Sequence, residues 1–330
     1  MEEGVYMENI FQFKECSNVD SVLKKIEEWI FAPEFTVLLQ SFGKTEIQGN
    51  SLKNQISDLV EFSSIWDFRG KQRKNVSGNT ENARWTIEDC GFSGQQQENI
   101  TEAANKLGLI GCTKPSKKEY DYIIVLGGAR MSCLFRMKHA KQICDLYGVK
   151  TDSIVGLAGM REVMDSERNA TDTYAREAKT EFDLMRAALS HVFGEIVLDE
   201  KEKCMNQNLN SSWAKEVYQI QDMRLILLAA PSGEPQKRRA NTADTFAFFM
   251  ERMHVENKRD ILLVTSQIYV PYQQLEAIRM LGLPYGHLVE TIGFPNEWSA
   301  GLQGLQRPEN YLQEIRSVLQ SMGRFLEYVQ

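Results

Sequence analysis

The chain has 330 residues, 42% hydrophobic and 25% charged, with 38 Lys and Arg against 45 Asp and Glu for a formal net charge of −7. That length buries one large core, or one core plus a smaller unit, and the composition is that of a globular protein. The acidic balance argues against nucleic acid or an anionic membrane as the main partner. No window nears roughly 18 uninterrupted apolar residues, and the Met-Glu-Glu-Gly start is no signal peptide, so the cytosol is expected.

Helical periodicity begins at residues 18–31, where Val19, Val22, Leu23, Ile26, Trp29 and Ile30 share one face, Asn18 caps and Pro33 stops the helix. A second helix is expected at 51–62 and a third at 99–107. Between them, Ile65 to Glu98 is polar and aperiodic, and the aromatics Trp66, Phe68 and Trp85 suggest an ordered loop. Residues 1–118 thus form a mostly helical N-terminal cap with a long polar loop.

From Glu119 onward strand and helix patterns alternate. Strands are expected at 121–126, 152–157, 194–198, 224–230, 261–266 and 286–291. Helices are expected at 132–147, 172–192, 211–220, 241–254, 271–281 and 308–328. This predicts an α/β fold in residues 119–330: a Rossmann-like, doubly wound, mainly parallel sheet with helices on both faces. The last helix carries an apolar stripe through Tyr311, Ile315, Val318, Leu319, Met322, Phe325 and Leu326, which suits core packing or a dimer.

Ligands of open parallel sheets bind beyond the carboxyl ends of the strands. The residues there are Gly127, Gly128, Ala129 and Arg130; Gly159 and Arg161; Arg238 to Thr245; and Thr265 to Gln274. Gly127 and Gly128 permit a tight turn whose amides face a ligand. Arg130, Arg136, Arg161, Arg238 and Arg239 either gather around a phosphate or carboxylate or pair with acids on solvated faces. Asn241, Thr242 and Asp244 either cap a helix or offer acceptors to a ligand, and Thr265 can fix a further polar group. Tyr269 and Tyr272 either stack on a flat ligand or fill a strand–helix junction. Glu181, Asp244 and Tyr269 are the catalytic candidates. No Ser-His-Asp or Cys-His arrangement is legible, and Cys133 reads as structural. The six cysteines form no CxxC and the four histidines no metal-binding spacing, so no metal is expected.

The run Tyr122 to Arg130, the strand Ser153 to Gly159, Glu181, Asn241-Thr-Ala-Asp-Thr245 and Leu263 to Ser266 resemble, in this order, the YdcF/SanA/ElyC-like family of bacterial α/β domains. The resemblance covers residues 119–295, and Trp29 to Phe35 extends it faintly to the N-terminus. It implies a Rossmann-like fold and, for the YdcF branch, S-adenosylmethionine binding. Tyr269 and Tyr272 stand where many members have His and Arg, and Asp244 and Thr245 replace Glu and Asn. Asn79 to Arg84 repeats the Asn-Thr loop out of order, as a coincidence or a second pocket wall.

The leading expectation is a cytosolic enzyme that binds a nucleotide-like or phosphorylated small molecule, with the Trp66–Trp85 loop closing over the pocket. One alternative is a non-catalytic sensor of a metabolite. The other is a sugar- or phosphotransferase of envelope metabolism, suggested by the family's envelope-linked members.

Overall fold

The computed structural model describes residues 6–7, 19–69, 87–221, 223–299 and 305–330. Asn18, Asn79 to Arg84 and Trp85 lie outside them. A mixed α/β architecture is observed, centred on a seven-stranded, mostly parallel sheet of order β5-β6-β7-β4-β3-β8-β9. The strands are β3 (Tyr122–Leu126), β4 (Ser153–Gly159), β5 (Val197–Cys204), β6 (Trp213–Ile220), β7 (Met223–Ala230), β8 (Asp260–Ser266) and β9 (Leu288–Phe294). Two short strands, β1 (Tyr6–Met7) and β2 (Cys112–Thr113), pair in parallel apart from it.

Apolar runs form the centre because parallel strands there are covered on both faces. Ile123 is in register with Ile154 on β4 and Leu262 on β8. Alternate residues then supply two cores. Ile124, Leu126, Val155, Leu157, Leu228 and Leu263 face one layer of helices, while Ile123, Val125, Ile154, Leu227, Leu262 and Val264 face the other.

The second layer holds α5 (Ser132–Tyr147), α6 (Arg168–Ala175) and α7 (Glu181–Phe193). The first holds α8 (Thr242–Met253), α9 (Val270–Ala277) and α10 (Pro308–Val329), together with the N-terminal helices α1 (Val19–Ile30), α2 (Pro33–Ser41), α3 (Leu52–Phe62) and α4 (Gly94–Lys106). Gly148 ends α5 with φ +63°, a left-handed cap that glycine adopts without a Cβ penalty.

Three expectations need correction. The helix placed at 211–220 is instead strand β6 from Trp213 to Ile220, antiparallel to both β5 and β7. Ala214, Glu216 and Tyr218 alternate inward, a period of two that their mixed polarity disguised. The strand placed at 194–198 runs instead from Val197 to Cys204. The helix placed at 172–192 is two helices, because Thr180 starts α7 with its own capping box to Asp183. Pro33 does end α1, but it also opens α2 at its first position, where a missing N–H costs nothing.

Candidate functional site

The carboxyl ends of β3, β4, β7 and β8 open into a cavity of about 780 Å³. Its floor is the turn after β3. The Gly127 amide donates to Leu157 O at 2.6 Å. A Cβ on Gly127 would lie 2.4 Å from Glu181 Oε1 and 2.7 Å from Leu157 O, so only glycine lets β3, β4 and the start of α7 meet here. Arg130 closes the turn at φ +55°, a left-handed conformation costly for a non-glycine residue.

Arg136, on the first turns of α5, is buried and reaches back under the rim. Its Nη1 donates to Leu126 O at 2.9 Å and to Gly127 O, its Nη2 donates to Ser266 Oγ at 3.2 Å, and its guanidinium lies 5.5 Å from the Tyr269 ring centre. It therefore clamps the end of β3 to the end of β8 while placing a positive charge beneath the cavity.

Arg161, after β4, pairs with Glu167 at 2.5 Å and with Glu181 at 2.7 Å. Glu167 is fully buried and also accepts the Arg130 amide at 3.0 Å. Burial acts to lower the Arg161 pKa, but Glu181 and Glu167 together hold it above the ordinary arginine value. For Arg130, burial prevails over Glu167 and lowers it. Glu181 sits on the cavity wall with one oxygen bound to Arg161 and the other against Gly127.

On the opposite wall Asn241 caps α8, accepting the Asp244 amide at 3.1 Å. Asn241, Thr242 and Arg239 line the cavity. Asp244 does not. Burial would raise its pKa, but Arg238 and the Asn241 and Gly233 amides bring it below the usual carboxylate value, so it anchors Arg238 from behind. Thr265 is likewise displaced from the expected ligand contacts: its side chain is fully buried in β8, and Ser266 takes its place on the lining. Residues of a parallel strand alternate between faces, so one position along β8 separates core from cavity.

Tyr269 and Tyr272 line the cavity and also pack on the core, so they do fill the strand–helix junction. The Cys133 thiol donates to Gly128 O at 3.2 Å, and burial pushes it up to about 12, an inert structural thiol. Trp66 belongs to the N-terminal core, edge-on to Phe42 and Phe62, while residues 70–86 of the loop expected to close over the cavity lie outside the described residues.

Sequence reasoning missed one wall entirely. Arg69 reaches the cavity from the N-terminal region, and α10 contributes Asn310, Ser317, Gln320 and Arg324, preceded by Arg307. The signal was there: 310, 317 and 324 recur every seven residues on one helical face, beside the apolar stripe that drew attention. Counting all described lining residues, the cavity presents eight arginines and a single carboxylate, Glu181.

A sequence model of the Rv3785 N-terminal domain matches residues 14–108. The uncharacterised proteins Rv3785 of Mycobacterium tuberculosis and Mb3814 of Mycobacterium bovis are each 31% identical over 327 residues, covering 94% of this chain and 91% of the relative. No solved structure matches. These matches overturn the resemblance to the YdcF/SanA/ElyC-like family. The segments behind it are a glycine turn, a buried strand and a capping box, which any parallel α/β sheet can require. The S-adenosylmethionine and envelope-transferase implications fall with it. The chain belongs to the Rv3785 family.

Proposed function

We propose that the cavity binds a phosphorylated, nucleotide-like small molecule. One observation carries this reading: a protein with a net charge of −7 has, among the described residues lining one cavity at its strand ends, eight arginines and one carboxylate. Guanidinium groups match phosphate oxygens in bidentate geometry. The volume of about 780 Å³ suits a ligand of nucleotide size, and Tyr269 and Tyr272 add aromatic rings to its lining. Glu181 is the one carboxylate among the described lining residues and, in this reading, the proton acceptor or donor of any reaction.

Isothermal titration against inorganic phosphate, ADP and a sugar phosphate tests it. ADP binding is expected, weakened about tenfold or more in Arg130→Gly. Glycine suits the +55° backbone there, so that variant should keep its fold. Absence of binding to all three probes would refute the reading.

A second reading, a non-catalytic sensor, is favoured by the lining itself. Among its described residues there is no His, Cys or Lys and no second carboxylate to complete a nucleophile–base pair. Prolonged incubation with a ligand that binds separates the two: an altered ligand in the wild type, and none in Glu181→Gln, indicates an enzyme.

A further inference from the structure

The anion cavity is not compact. Its rim end is marked by Arg136, whose guanidinium lies against Tyr269, immediately before α9 begins at Val270. Its other end is marked by Arg324 on α10, which also lines the cavity. Arg324 is held there by Glu276, its Nε and Nη2 both donating to Glu276 Oε1 at 3.1 and 2.8 Å. Glu276 is six residues beyond Val270 along α9, a rise of about 9 Å at 1.5 Å per residue. Glu276 is itself almost fully buried and tied to Ser321 Oγ at 2.7 Å and Arg279 at 2.6 Å, so this end is a fixed structure. Arg324 aside, the lining residues that α9 and α10 contribute are uncharged: Tyr272 and Gln273, whose amide donates to Thr242 Oγ1 at 3.4 Å, and Asn310, Ser317 and Gln320.

Resting on the reading of this cavity as an anion site, we infer that it takes a two-ended ligand, with anionic groups on the order of 9 Å apart. One group seats at the glycine rim beside Arg130 and above Arg136, the other at Arg324, and a polar or flat linker crosses Tyr269, Tyr272 and Gln320. Two guanidinium ends separated by neutral amides and hydroxyls select for spacing of charge, since a single compact anion satisfies only one of them.

Linear phosphates test this without assuming a linker: inorganic pyrophosphate as the short probe and tetrapolyphosphate as the long one, titrated into the full chain at 0.15 M ionic strength. At that salt, charges further apart than about 8 Å are largely screened from each other. The long probe is expected to bind about tenfold or more tightly than the short one. Arg324→Gln and Gln320→Glu are each expected to erase most of that preference, and Arg130→Gly to weaken both probes. Gln320→Glu leaves the Glu276 pair intact, so it decides the matter should Arg324→Gln fail to fold. An unchanged preference in Gln320→Glu, or none in the wild type, with pyrophosphate still sensitive to Arg130→Gly, overturns the two-ended site and leaves the anion cavity standing. No binding of pyrophosphate at all overturns both.

Discussion

His139 shows how much one side chain can weigh without touching the cavity. It sits on α5, almost fully buried, edge-on to Trp298 at 5.3 Å and near Phe294, with no hydrogen-bond partner for either ring nitrogen among the described residues. Burial alone drives its pKa from 6.5 down to about 4. Below pH 6.5 the unfolded chain takes up a proton that the folded chain refuses, so stability falls as pH drops through that window and the loss is complete below about pH 4. Such a shift corresponds to about 3 kcal/mol. His139→Leu, which cannot titrate, should flatten the stability profile between pH 6.5 and 4 in urea denaturation at stepped pH. A profile with the same slope in wild type and variant would show that His139 is hydrated in the fold.

At the scale of elements, strand β6 shows both what patterning reveals and what it hides. The central strands and the helices at 132–147 and 308–329 were legible because their apolar runs and stripes are unbroken. Strand β6 was not, because one of its inward positions is Glu216, a residue that reads as helix or surface. It is tolerated there because Arg186 and Lys201 reach it at 2.7 and 2.8 Å and Tyr218 donates at 2.7 Å. The rim glycines and five of the cavity arginines were legible from their places after strands. Arg69, Arg307 and Arg324 were not, since long-range packing alone brings them there. Burial acts to raise the Glu216 pKa, yet hydrogen bonds from Arg186, Lys201 and Tyr218 bring it from 4.5 to about 2. Its contribution is therefore present above pH 4.5 and lost as pH falls through about 2, a window below that of His139. Glu216→Gln should cost at most about 3 kcal/mol at pH 7, with the partly exposed Arg186 and Lys201 keeping it under that limit. Below pH 4.5 the variant should show a flatter acid limb. An equally steep limb in the variant would count against this pairing.

Across the whole molecule, the matched N-terminal region and the sheet share one core. Ile56, Leu59, Trp66, Ile100 and Ala104 join Ile315, Val318, Leu319 and Met322 of α10 and, through them, Leu263 of β8 in a single buried cluster. Polar ties cross the same seam: Arg316 Nη1 donates to Val60 O at 3.1 Å and to Ser63 Oγ at 3.0 Å, and the Cys90 amide donates to the buried Glu309 at 2.9 Å. Stripping residues 1–118 would leave α10 with its outward apolar face in water and would take Arg69 from the cavity, so the cost is a lost core rather than a lost appendage. A chain of residues 119–330 alone should therefore aggregate or melt without cooperativity. In the intact protein, amide exchange in α3 and α4 should be protected nearly as strongly as in β3 and β8, because opening either helix exposes the face they share with α10. A fragment that melts cooperatively at the temperature of the full chain would divide the molecule into independent units and make the N-terminal helices a detachable cover.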